Sequence, residues 1–182
     1  QVGDTAIATA VELARHAASV GCDAIASVPP YYEKTDDANT IVDFLQPISA
    51  GAPSLPLFFY HIPSVTGCRV KVSALFRAAA AKLPMLAGVK WVGTDLADWF
   101  ELTRDFNSSH ALLFAPEPKL ASFALGMGRG AVLAEDFFGP TYLRMREGYF
   151  AGGGAAADEQ AWKLKALAIL RKYKGATERV LY

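Results

Sequence analysis

Five short apolar runs alternate with longer stretches of helical spacing, and this alternation constrains the fold more than any other feature. The runs cover residues 24–28, 55–60, 86–92, 111–115 and 131–134. They are almost continuously apolar, as expected for strands that are buried on both faces of a parallel sheet. Because parallel neighbours need a crossover connection, usually a helix, the sequence predicts an α/β fold.

Two stretches between these runs carry apolar residues at helical spacing. The first stripe is Ile7, Ala10, Val11, Ala14 and Ala17, and the second is Val72, Leu75, Phe76, Ala79 and Leu83. Asp4, Asp36 and Asp95 stand where helix N-caps are expected.

The polar residues at the strand ends help to choose between an open doubly wound sheet and a barrel. They are Tyr31-Tyr32, Tyr60-His61, Lys90, Glu117 and Glu135-Asp136. A βα-barrel has its active site at the C-terminal ends of its strands, so this placement favours a (β/α)8 TIM barrel. For any single residue, the alternative remains that polar residues simply begin where a buried strand ends.

Composition excludes several classes of partner. The 18 basic and 18 acidic residues cancel, and no basic run indicates binding of nucleic acid or of a membrane surface. The apolar runs are too short to cross a bilayer. Cys22 and Cys68 have neither metal-site nor disulfide spacing, which predicts reduced thiols in a cytoplasmic protein. A small-molecule substrate is therefore expected.

Lys90 interrupts the apolar run 86–92 in a strand that should be buried. Burial disfavours the ammonium form, and a free amine can attack a ketone carbonyl to form a Schiff base. The alternative is a lysine that extends from the strand end to solvent. Tyr60 ends the preceding strand, and neighbouring strands lie about 4.8 Å apart, so its hydroxyl is expected to reach the amine and transfer protons. A tyrosine on an apolar strand can also be an ordinary core residue.

Two segments resemble the signatures of the pyruvate-dependent aldolases, the family that includes N-acetylneuraminate lyase and dihydrodipicolinate synthase. One is Tyr60-His61-Ile62-Pro63-Ser64-Val65-Thr66-Gly67, and the other is Gly88-Val89-Lys90. The segment Val28-Pro29-Pro30-Tyr31-Tyr32 is similar to the family's strand-end motif. His61 after the tyrosine, with Thr94-Asp95-Leu96 after the lysine, favours the N-acetylneuraminate lyase branch.

The resemblance implies a mechanism and an assembly. Lys90 would condense with the C2 ketone of sialic acid, and Tyr60 would shuttle protons during cleavage to N-acetylmannosamine and pyruvate. No metal or organic cofactor is implied, because the iminium is itself the electron sink. The tyrosine that matches Tyr32 reaches a neighbouring subunit's site in the family, which implies a homotetramer built as a dimer of dimers.

The sequence also departs from the family pattern. Residues 1–182 are expected to form a single, partial barrel domain that lacks the first strands, the last C-terminal helical segment and the Gly-rich loop for the substrate carboxylate. Glu117 is the one carboxylate kept for binding the sugar hydroxyls. Three interpretations stay open: N-acetylneuraminate lyase, a related synthase or sugar-acid aldolase with another acceptor aldehyde, and a non-catalytic truncated remnant.

Overall fold

A computed structural model describes residues 1–116, 130–132, 138–152 and 154–172. The chain divides into two compact units. The described part of the first comprises residues 1–116 and 130–132, and that of the second comprises residues 138–152 and 154–172. The single domain expected over residues 1–182 stays a prediction.

The first unit alternates strands and helices as the apolar runs predicted. In chain order its elements are α1 (Ile7–Ser19), β1 (Ile25–Ser27), α2 (Ala38–Gly51), β2 (Leu57–His61), α3 (Pro63–Thr66), α4 (Val72–Ala79), β3 (Leu86–Trp91), α5 (Leu96–Phe106), β4 (Ala111–Phe114) and β5 (Gly130–Ala131). All four strand pairs are parallel, and the spatial order equals the chain order, β1-β2-β3-β4-β5. A doubly wound sheet reverses its order at a switch point, whereas a βα-barrel does not, so the sheet is of the barrel type.

The sheet has two unlike faces. Along β2, Leu57, Phe59 and His61 are buried, whereas Phe58 and Tyr60 between them are partly exposed. Strand β4 shows the same alternation. Successive side chains of a strand point to opposite faces, so the fully buried set belongs to one face, where the helices supply the partners. We call this the helix-covered face, and we call the face with Phe58 and Tyr60 the inner face.

The helices bury the residues that the stripes indicated, with two exceptions in α1. All five residues of the second stripe are buried. In α1 only the alanines are buried, while Ile7 is exposed and Val11 is partly exposed. A Cβ atom on Gly51 of α2 would lie 3.0 Å from the Val11 carbonyl oxygen, so α1 and α2 pack at close range through small residues.

Two of the three expected N-caps were wrong. The Asp4 carboxylate accepts a hydrogen bond from the Ala6 amide ahead of α1 and does not cap that helix. Asp37, rather than Asp36, caps α2 by accepting from the Thr40 amide at 2.7 Å. Only Asp95 was correct, since it caps α5 by accepting from the Asp98 amide.

The described part of the second unit is a pair of helices, α6 (Gly139–Phe150) and α7 (Ala155–Lys172). Phe138, Tyr142 and Met145 form its buried cluster. Lys163 of α7 is also buried, with its Nζ 4.9 Å from the centre of the Tyr142 ring. Among the helices whose residues are described, none is both long enough and apolar enough to cross a membrane.

Candidate active site

Strands β2 and β3 bring Tyr60 and Lys90 together on the inner face. The two residues are direct partners in the register of the sheet, and both are partly exposed. The Lys90 Nζ lies 4.1 Å from the centre of the Tyr60 ring. A cation in this position is attracted by the negative face of the ring. The lysine therefore contacts the ring face of its neighbour, whereas the sequence predicted a contact with the hydroxyl group.

Apolar residues are the register neighbours of this pair. Leu113 of β4 is the register partner of Lys90 on the side away from Tyr60. Two residues earlier on the same face, Phe58 pairs with Gly88, and a Cβ atom on Gly88 would lie 2.7 Å from the Phe58 Cε1. In the register of the sheet, Lys90 thus stands between Tyr60 and Leu113, and Phe58 lies nearer the start of the strands.

His61 belongs to the helix-covered face, although it follows Tyr60 directly. Its side chain is only 5% exposed and its ring lies near those of Phe59 and Trp91, at centroid distances of 6.0 and 6.2 Å. Within the described residues, its Nδ1 has no hydrogen-bond partner. Burial lowers the pKa of His61 to about 4, and the charge of Asp98 only partly opposes this shift. His61 is therefore a neutral member of the layer behind the strands.

Asp98 is an important residue that the sequence analysis missed. It is 3% exposed, and its carboxylate accepts hydrogen bonds from the amides of Val72 at 2.7 Å and Ser73 at 3.1 Å. These amides begin α4, and the side chain of its own N-cap residue, Lys71, makes no capping hydrogen bond. A residue of α5 therefore supplies the acceptor that the first turn of α4 needs. No local pattern reveals such a partner some 25 positions away.

The two predicted substrate-binding residues have different outcomes. Tyr32 lies in the turn after β1 and is 84% exposed. With Tyr31, Phe44 and Ile7 it lines an open cavity of about 370 Å³. Glu117 lies outside the described residues, as do Glu135 and Asp136. Binding roles for Tyr32 and Glu117 stay predictions.

Comparison with protein families gives one match that covers almost the whole chain. Residues 1–180 match the dihydrodipicolinate synthetase family. The N-acetylneuraminate lyase of Mus musculus is 37% identical over 133 residues, which are 72% of this chain and 41% of the mouse protein. The enzyme of Gallus gallus is 32% identical over 182 residues, covering 99% of this chain and 55% of that protein. The chain thus spans about half the length of the curated relatives it matches.

Solved structures agree with the family match. Proteus mirabilis N-acetylneuraminate lyase superposes with a TM-score of 0.87 at 25% identity, covering 96% of this chain and 59% of that one. The wild-type sialic acid aldolase of Ruminococcus gnavus gives a TM-score of 0.77 at 27% identity, with coverages of 88% and 53%. The fold is that of a TIM barrel, of which the described strands form part. The chain belongs to the dihydrodipicolinate synthetase family.

Proposed function

We propose that this chain carries the Schiff-base site of a class I aldolase that cleaves N-acetylneuraminate to N-acetylmannosamine and pyruvate. The contact between the Lys90 amine and the Tyr60 ring is the observation that carries the proposal. It joins a nucleophile and a proton-transfer group on adjacent strands, at the residues that resemble the family's paired signature. A sialic acid aldolase of Ruminococcus gnavus with a mutated catalytic lysine is also a structural relative, with a TM-score of 0.80 at 25% identity.

The reaction follows from the chemistry of the two side chains. The Lys90 amine adds to the C2 ketone of the open-chain sugar acid, and loss of water gives an iminium. Cleavage of the C3–C4 bond releases the aldehyde N-acetylmannosamine and places the bonding electrons in a lysine-bound enamine. Protonation at C3 and addition of water then release pyruvate and the free lysine. In this mechanism Tyr60 accepts the proton from the C4 hydroxyl and returns protons later.

A second candidate is a pyruvate-dependent aldolase with another acceptor aldehyde. The dihydrodipicolinate synthase of Cyanidioschyzon merolae, with lysine bound, has a TM-score of 0.75 at 26% identity, close to the identities of the lyase structures. The chemistry at Lys90 would be the same. We favour the lyase because the curated relatives at 32–37% identity carry that name.

Three further features belong to the proposal. Tyr32, exposed in the turn after β1, is proposed to reach a neighbouring subunit of a homotetramer, and Glu117 is proposed to bind sugar hydroxyls. A cytoplasmic location is proposed because Cys22 and Cys68 are both free thiols, as is usual in a reducing compartment. Cys68 is buried, which raises the pKa of its thiol, whereas Cys22 is exposed.

Pyruvate release from N-acetylneuraminate tests the function, with the Lys90→Arg variant as the matched control. Arginine keeps a cation that can lie over the Tyr60 ring, but it cannot form the imine. Activity in the parent chain and none in a folded Lys90→Arg chain is the expected result. Equal activity in both proteins would refute the proposal. Condensation of pyruvate with other aldehydes, but not with N-acetylmannosamine, would select the second candidate.

A further inference from the structure

Strand β3 contains a one-residue shift in its pairing with β2. Leu86 pairs with Leu57, but Gly88 pairs with Phe58, so Ala87 has no partner on β2. This is a β-bulge, in which one strand has one more residue than its partner over the same length. The burial along β3 breaks its alternation at the same place, because both Gly88 and Val89 are buried.

The shift changes the face to which Lys90 belongs. In a regular strand, residues 86, 88 and 90 would all point to one face. Here Leu86 is buried beside Leu57 on the helix-covered face, whereas Lys90 contacts Tyr60 on the inner face. The bulge at Ala87 therefore allows Leu86 to lie on the helix-covered face and Lys90 to lie beside Tyr60 on the inner face.

Gly88 is the residue that makes this shift possible. A Cβ atom on Gly88 would lie 2.1 Å from the carbonyl oxygen of Ala111 on β4, and 2.7 Å from the Phe58 ring. The ring could rotate away, but the carbonyl oxygen is part of the backbone, in the ladder between β3 and β4. A side chain at position 88 therefore cannot be accommodated while β3 keeps both its shift and its pairing with β4.

We propose that Gly88 is a positioning residue for the reaction: because it has no side chain, β3 can accommodate the extra residue Ala87 beside β4 and still present Lys90 on the face that carries Tyr60. This inference rests on the proposed catalytic role of Lys90. The role of the glycine is geometric, because the bulge in β3 can lie against β4 only if no side chain stands between the two strands.

A disulfide cross-link tests the geometry without using the chemistry. The parent for this test carries Tyr60→Cys, Lys90→Cys, Cys22→Ser and Cys68→Ala. Partners on neighbouring strands lie about 4.8 Å apart, within the Cα separation that a disulfide spans, so oxidation should link the two introduced cysteines. Adding Gly88→Ala should lower the yield of the cross-link about tenfold or more, because the overpacked strand must move.

Deletion of Ala87 supplies the matched control. It removes the extra residue and leaves Leu86 and Gly88 in regular pairing, so the cross-link should still form. In a regular strand a Cβ stands away from the sheet rather than toward β4, so the deletion should also restore the cross-link in the Gly88→Ala chain. Phe58→Ala should not restore it, because the clash with the Ala111 carbonyl remains.

The outcomes separate this inference from the proposed function. Equal cross-linking with glycine or alanine at position 88, or restoration by Phe58→Ala, would overturn the role of Gly88. If Gly88→Ala prevents folding, the chain that combines it with the deletion decides: cross-linking supports the inference, and failure to fold or to cross-link overturns it. Covalent capture of pyruvate is measured separately on chains that retain Lys90, so a lack of capture in the unsubstituted chain would refute the catalytic proposal alone.

Discussion

Replacement of His61 by phenylalanine should remove a specific part of the pH dependence of stability. His61 is buried among aromatic rings, and its pKa in the folded chain is about 4, against an ordinary value of 6.5. Between these two values the unfolded chain binds a proton that the folded chain does not. The free energy of unfolding therefore falls as the pH decreases from 6.5 to about 4.

The size of this effect follows from the difference in pKa. At ~1.4 kcal/mol per pH unit, the imidazole lowers the free energy of unfolding by about 3 kcal/mol across this range. Phenylalanine fits the same aromatic layer and cannot bind a proton. The difference between the parent and the His61→Phe variant should therefore decrease by about 3 kcal/mol between pH 7 and pH 4.

Urea unfolding at a series of pH values measures the difference, with the fluorescence of Trp91 and Trp99 as the probe. Both indoles lie in the layer behind β3, with ring centres 5.2 Å apart, and Trp162→Phe in every protein removes the signal of the second unit. His110 also has a pKa lowered by burial but is partly exposed, so His110→Phe should show the same sign with a smaller amplitude. A parent–variant difference that stays constant from pH 7 to pH 4 would refute the reasoning.

Three other substitutions test the fold and the site. Asp98→Ala leaves two buried amides at the start of α4 without an acceptor, so the free energy of unfolding, measured by urea titration, should fall by about 2–4 kcal/mol. Asp23→Ala, at an exposed residue, is the control, and an equal loss in both variants would contradict this expectation. Tyr60→Phe keeps the ring next to Lys90 but loses the hydroxyl, so pyruvate should still be captured while turnover falls by a factor of about 10²–10⁴. Unchanged turnover would exclude proton transfer by Tyr60. Arg77→Ala removes exposed ion pairs to α5, and stability should change by no more than ~1 kcal/mol; a larger loss in the same urea assay would show that these pairs act as a network.

The parts of the fold that local patterns determine could be predicted from the sequence. Continuous apolar runs predicted the strands, because the strands of a parallel sheet that is covered on both sides are apolar at nearly every position. In the described residues, one face of β2 and of β4 is partly exposed. The proximity of Tyr60 to Lys90 could be predicted from the chain order of the strands, since consecutive strands of a barrel lie side by side. The direction of the contact could not be predicted, because it depends on the rotamers of both side chains.

Other features depend on partners that are distant in the sequence. Asp36 and Asp37 are adjacent carboxylates that a local rule cannot distinguish. Tertiary structure separates them, because Asp36 accepts a hydrogen bond from the Arg69 amide at 2.5 Å and Asp37 caps α2. Asp98 was missed for the same reason. Gly88 could have been noticed, since a glycine inside a strand often marks a bulge or a close approach of another backbone.

Borohydride reduction in the presence of pyruvate, followed by peptide mass mapping, tests the central claim most directly. Reduction converts a lysine-bound imine into a stable secondary amine, so the modified residue can be identified. The account predicts one adduct, on Lys90, and none in the Lys90→Arg chain. An adduct on another lysine, or no adduct in a chain whose circular dichroism shows it to be folded, would contradict the assignment of Lys90 as the Schiff-base residue.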